Sequence, residues 1–258
     1  CVSGTIDLGN GNDRLRLAET GVLAGTARGG AGIDTIIFEQ AGTRSILADQ
    51  FTGFERLQTE GLGTLALASG SFVYERVDAT GALSIARQAS LLTRDVVFNQ
   101  GDNQLTIDGG FIGSVDGGAG TDRITVSGGS ASAPLMFGSI ARVEAFTMND
   151  GLATIANTAS LGTVELVRGR LIGLAGSTID ASRITVGSNA IFGSAGTVNG
   201  NLSVSGILSP GASPGTMTVN GNVTLGSGSL SVFEISPTIS DRLVVNGSLS
   251  IAPNATLQ

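Results

Sequence analysis

Three copies of one short signature restrict what this chain can fold into. The signature reads Val198-Asn199-Gly200-Asn201-Leu202-Ser203-Val204. It returns as Val219-Asn220-Gly221-Asn222-Val223-Thr224-Leu225, and again as Val245-Asn246-Gly247-Ser248-Leu249-Ser250-Ile251. Each copy places an apolar residue before an Asn-Gly corner and an alternating strand after it. Asn-Gly supports a turn with positive φ, and Val, Thr, Leu and Ile suit pleated strands. The copies start 21 and then 26 residues apart. A hairpin would use such a turn once. This spacing instead fits one circuit of a solenoid, whose single coil cannot bury its apolar face but whose stacked coils can. The expected fold is all-β, a right-handed single-stranded parallel β-helix of about 12 coils of roughly 21 residues. The competing fold is a β-sandwich with similar turn chemistry.

The same period runs through the rest of the chain. Phe54-Glu55-Arg56-Leu57 recurs 20 residues later as Tyr74-Glu75-Arg76-Val77. A longer repeat overlies it. Gly29-Gly30-Ala31-Gly32-Ile33-Asp34-Thr35-Ile36 returns 88 residues on as Gly117-Gly118-Ala119-Gly120-Thr121-Asp122-Arg123-Ile124. Gly11 through Leu17 resembles Gly101 through Ile107, and Phe51 through Leu57 resembles Phe137 through Val143. Residues 1–195 therefore read as a duplicated stem, continuous with C-terminal coils at 196–258. Expected anchors of successive coils are Arg16, Ile37, Leu57, Val77, Val97, Val143, Val164, Thr185, Val204, Leu225 and Val245. A loop is expected at 127–136, a tight corner at Pro210–Gly215, and a further loop around Pro237.

Composition narrows the function classes. Glycine supplies 40 of 258 residues and proline only 5, so glycine serves turns here without any collagen period. The net charge is −7, and the 14 basic residues are all Arg. No basic cluster is available to neutralise phosphates or an anionic membrane surface, which argues against nucleic acid as a partner. No apolar run reaches transmembrane length. The chain has no His, which removes imidazole ligands and the histidine-based triads. Cys1 is the single cysteine and cannot form an internal disulfide. The opening Cys1-Val2-Ser3-Gly4 is not a signal peptide and reads as a processed edge.

Residues 196–251 resemble the C-terminal passenger region of Gram-negative autotransporters, the type V secreted proteins, including their autotransporter-associated repeat. The matching run is Gly206-Ile207-Leu208-Ser209-Pro210-Gly211-Ala212-Ser213-Pro214-Gly215-Thr216-Met217-Thr218-Val219-Asn220-Gly221-Asn222. It continues through Ser229-Leu230-Ser231-Val232 to Asp241-Arg242-Leu243-Val244-Val245-Asn246-Gly247. The resemblance implies a β-helical passenger carried across the outer membrane by its own C-terminal β-barrel, with the last coils acting as a folding seed. It implies a location on the cell surface of a Gram-negative bacterium, or secretion from it. The function expected is a non-enzymatic scaffold or adhesin with roles in virulence, a monomer, with a glycan or a host cell-surface protein as partner.

Other chemistry is weighed beside this. The two Gly-Gly-Ala-Gly-x-Asp segments resemble single units of calcium-binding nonapeptide repeats, which makes Asp34 and Asp122 metal candidates and Asp13 and Asp102 weaker ones. The tandem nine-residue spacing is missing, and a turn-capping aspartate explains them as well. No cofactor is expected apart from such a calcium ion. A β-helical polysaccharide-degrading enzyme would draw on Asp78, Asp95, Asp108, Asp116 and Glu144, which form no Asp-Asp pair. Phe51, Phe54, Phe72, Tyr74, Phe98, Phe137 and Phe146 fit an internal aromatic stack better than a carbohydrate platform. Arg56, Arg76 and Arg142 are expected as an exposed ladder paired with Glu55, Glu75 and Glu144.

Overall fold

A computed structural model of the chain describes residues 3–211 and 214–258. Cys1-Val2 and the centre of the Pro210–Gly215 corner, Ala212-Ser213, lie outside the described residues. The chain is all-β, without an α-helix among the described residues, and winds as a parallel β-solenoid of about 11 turns. Right-handed winding is the hand that parallel crossovers take. Residue contacts divide the chain into two compact units, 1–122 and 123–258. The expected subdivision at 195/196 falls inside the second unit, within a run of parallel register from 178 to 204.

The first unit contains β1 Thr5–Asp7, β2 Arg14–Leu17, β3 Thr26–Arg28, β4 Thr35–Glu39, β5 Thr43–Leu47, β6 Phe51–Thr52, β7 Arg56–Glu60, β8 Thr64–Ala79, β9 Ala82–Phe98, β10 Gln104–Ile107 and β11 Gly110–Asp116. A 3-10 turn at Ala48–Gln50 precedes β6. Strands β1, β3 and β6 form a separate three-stranded sheet. Elsewhere each strand pairs in parallel with its counterpart one coil on. The innermost row runs Leu15, Ile36, Leu57, Val77, Val96. A second row stacks Phe72, Leu91 and Phe111. Burying each such side chain contributes about 1.5–3 kcal/mol.

The second unit contains β12 Arg123–Val126, β13 Leu135–Met148, β14 Leu152–Ile155, β15 Thr158–Gly173, β16 Thr178–Ser194, β17 Thr197–Val204, β18 Ile207–Pro210, β19 Thr216–Asn220, β20 Val223–Leu225, β21 Leu230–Ser231, β22 Arg242–Val245, β23 Leu249–Ile251 and β24 Thr256–Leu257. Its longest row is Ile124, Phe146, Val164, Ile184, Leu202, Val223, Leu249. All members are buried except Leu249. The loop expected at 127–136 is smaller than that range. Its exposed part, residues 130–133, is closed by reciprocal backbone bonds between Ser130 and Ala133. Pro237 lies in a short hairpin bridged antiparallel at Ile235 and Ser240. Asp241 clasps its base, accepting from the N–H groups of Gly215 at 2.9 Å and Glu234 at 2.8 Å.

The three Asn-Gly corners stack in register, with Val198 on Val219 on Val245. Asn220 Nδ2 donates to Asn199 Oδ1 at 2.7 Å, and Asn246 Nδ2 to Asn220 Oδ1 at 2.8 Å. A second ladder runs alongside: Asn201 Oδ1 accepts from the Asn222 N–H at 3.0 Å, and Asn222 Oδ1 from the Ser248 N–H at 2.9 Å. The glycines serve close approach more than handedness. Only Gly200 has a positive φ, +148°, whereas a Cβ on Gly221 would lie 2.1 Å from the Gly200 carbonyl oxygen.

Several expected anchors belong to different rows. Arg16 and Ile37 share a row with the polar Gln58, one residue off the innermost row. Val96, not Val97, stacks on Val77. Phe146, not Val143, lies beneath Val164, and Val245 stacks on Val219 and not on Leu225. A one-residue slip moves a side chain to the opposite face, and bulges in β9, β13 and β16 shift the register.

Candidate functional site

The two Gly-Gly-Ala-Gly-x-Asp segments form corners in which a carboxylate caps the neighbouring coil. Asp34 is fully buried (0% exposed), and its Oδ1 accepts from the Asp13 N–H at 2.7 Å. Its own N–H donates to Glu55 Oε2 at 2.8 Å. Asp122 Oδ1 accepts from the Asn103 N–H at 2.8 Å and from Asn103 Nδ2 at 3.1 Å. Outside each lies a second cap: Asn12 Oδ1 takes the Ile33 N–H at 2.9 Å, and Asp102 Oδ1 takes the Thr121 N–H at 2.8 Å. The duplication thus equates Asp13 with Asn103 and Asn12 with Asp102. Asp13 and Asp102 do not occupy equivalent places. The Oδ2 atoms of Asp13 and Asp34 are buried and find no hydrogen-bond partner in the protein. Among the described residues, no group of three or more Asp, Glu, His or Cys is placed to hold a metal ion.

All seven singled-out aromatic residues are buried. Phe137 and Phe146 meet edge to face at 5.9 Å, as do Phe38 and Phe51 at 5.1 Å. They belong to the interior, as their spacing suggests, and present no outer platform. The Tyr74 hydroxyl is buried without a hydrogen-bond partner, and burial pushes it above the ordinary tyrosine range. At Glu55 and at Glu75–Arg76 the charged ladder pairs differently from the expectation. Arg76 Nε bonds Asp78 at 2.8 Å, while Glu75 takes Arg94 at 3.3 Å and Glu55 caps Asp34. Arg94 also bonds Asp95 at 2.7 Å. These ions are substantially exposed, so each pair contributes little to stability. Arg142 sits at the β13 bulge with φ +52°. On an outer face, Val73, Leu92 and Ile112 form an exposed apolar row in register.

A cleft in the first unit brings together residues that the repeat pattern does not single out. After β2 the chain leaves the coil as an excursion, residues 18–25. Arg44 on β5 fastens it: Nη1 donates to the Gly21 carbonyl at 2.8 Å, and Nη2 to those of Ala18 at 2.8 Å and Glu19 at 2.9 Å. The guanidinium also lies 5.8 Å from the Phe38 ring centre. The resulting cleft has a volume of about 450 Å³, and Leu17, Val22, Leu23, Gln40, Arg44 and Phe51 contribute to its lining. Gln40 follows the inward pattern of Ile36 and Phe38 and is 3% exposed. Its main chain is satisfied by Glu60 and Gly63. Its side-chain Oε1 and Nε2 are both buried and find no hydrogen-bond partner in the protein. An inward-facing polar residue at the end of an apolar alternation was the one sequence signal for this place.

No family model, curated protein or solved structure matches this chain.

Proposed function

We propose that the chain is a non-enzymatic passenger stem, exported across the outer membrane of a Gram-negative bacterium and serving as a cell-surface or secreted scaffold. Its partner in export is its own C-terminal β-barrel, and its C-terminal coils seed folding. The observation that carries this reading is the stack of Asn corners through residues 198–248, tied by two side-chain ladders. Folding of a solenoid propagates from its most stable coils. A segment whose corners are bonded both through backbone and through asparagine is suited to hold shape first. The exposed row Val73, Leu92, Ile112 supports the scaffold's adhesive role, because apolar rows on an outer face mark interaction surfaces.

Hydrogen exchange on the whole chain tests the seed. Amides of residues 197–225 are expected to exchange more slowly than those of residues 14–60. The reverse order would reject the seed. Export is tested separately by fusing the chain to an autotransporter barrel and scoring surface display. Deletion of 196–251 is expected to abolish display of folded stem, and undiminished display would reject the passenger reading of that segment.

A further inference from the structure

We infer that the cleft beneath the 18–25 excursion is a binding site for an uncharged saccharide. The Gln40 amide is the reason. A primary amide offers two donors and one acceptor, and here none of them is met within the protein although the side chain is 3% exposed. Buried polar groups are ordinarily hydrogen-bonded, and an unmet one lowers stability. A neighbouring hydroxyl pair answers this amide from one ligand, because each hydroxyl both donates and accepts. Leu17, Val22, Leu23 and Phe51 also line the cleft and provide apolar surface for the C–H face of a sugar ring. Arg44 and Glu19 place one charge of each sign on the lining, which favours a ligand without net charge. The volume, about 450 Å³, lies within the range of small-molecule sites, roughly 300–1,000 Å³.

The duplication strengthens the argument. The residue 88 positions beyond Gln40 is Gly128, and the stretch between Asp122 and Phe137, which parallels Asp34 to Phe51, contains neither Gln nor a second Arg beyond Arg123. In the second copy an exposed loop, residues 130–133, stands before the next strand begins at Leu135, so the surroundings of the cleft are not repeated there. Gln40 and Arg44 are additions to the repeat, and both converge on one cleft. This inference does not depend on export or on the passenger reading.

The test is saturation-transfer NMR on the whole chain with uncharged methyl glycosides of pentoses, hexoses and N-acetylhexosamines. At least one is expected to bind. Gln40→Met keeps the side-chain length but removes the hydrogen-bonding atoms; it is expected to weaken binding at least about tenfold and to melt no lower than the parent. Thr43→Arg, on the exposed rim, is expected to block binding while circular dichroism stays unchanged. Absence of binding across the whole panel overturns the inference. So does binding that survives both substitutions, or a short peptide panel that binds where the glycosides do not.

Discussion

Substituting Gly221 with alanine separates two explanations of the Asn-Gly corners. If the glycine only supplied a left-handed turn, its conformation would decide the outcome. Gly221 has no left-handed φ, so Ala would fit its backbone. The obstacle is the coil before it: the new Cβ would lie 2.1 Å from the Gly200 carbonyl oxygen and 2.5 Å from its carbon. Restoring ordinary contact separates the coils locally by about 1 Å. The bonds from Asn222 N–H to Asn201 Oδ1, now 3.0 Å, and from Asn220 Nδ2 to Asn199 Oδ1, now 2.7 Å, would both stretch beyond useful length. Losing two such bonds costs about 1–3 kcal/mol. Reduced freedom of the unfolded chain offsets about 0.4–1 kcal/mol of it. The net loss is about 1–2 kcal/mol, or a fall in melting temperature of about 2–8 °C. Two controls bracket the result. At Gly42 an added Cβ meets nothing within 4 Å and φ is not left-handed, so Gly42→Ala should stabilise by about 0.4–1 kcal/mol. At Gly228 space is open but φ is +79°, so Gly228→Ala should cost about 1–2 kcal/mol without changing exchange at Asn222. Calorimetry with hydrogen exchange reads all three. A Gly221→Ala chain melting at or above the parent, or with unchanged exchange at Asn222, would refute the close-approach argument.

Tyr74 is the only tyrosine, and the chain has no tryptophan, so ultraviolet absorbance reports its ionisation alone. Burial raises its pKa in the folded state. Above about pH 10 the unfolded chain releases this proton while the folded chain retains it, so stability should fall as pH rises past that point. Tyr74→Phe should remove that fall and match or exceed the parent at neutral pH; an identical alkaline decline in the variant would disprove the assignment. Asp34→Ala should lower stability by about 1–3 kcal/mol by orphaning the Asp13 N–H, and Asp34→Asn by less. Capping predicts the same melting temperature with calcium as with a chelator, whereas a calcium site predicts a rise with calcium that both substitutions at Asp34 and Asp122 abolish.

The fold was legible because its strongest signal is spacing. Asn199, Asn220 and Asn246 announce a period by identity, and they stack with their amides bonded. The duplicated Asp34 and Asp122 corners were legible for the same reason. Which face a residue occupies was less so. Period 2 leaves no margin, and a bulge inserts an extra residue without marking it in sequence. Val143 falls off the row for that reason, beside the irregular step after Ile140, whereas Val97 misses it because Val77 pairs with Val96, a coil of 19 residues (96 − 77). The cleft was not legible, because Arg44 makes its contacts with carbonyls of residues 18–21, and carbonyls carry no sequence signature.

Comparison of the two duplicated corners indicates what they share. In both, an aspartate Oδ1 takes the N–H of the coil before it. Around that bond the charge differs. The first copy sets Asp13 beside Asp34, while the second sets Asn103 beside Asp122, and the Asn103 amide donates to the carboxylate. A cation site depends on the number of anionic ligands, which the copies do not keep equal. A cap depends on one acceptor and one N–H, which they do. An aspartate cap on the preceding coil is therefore what the two corners share, and the pairing of two carboxylates in the first against a carboxylate and an amide in the second is where they differ.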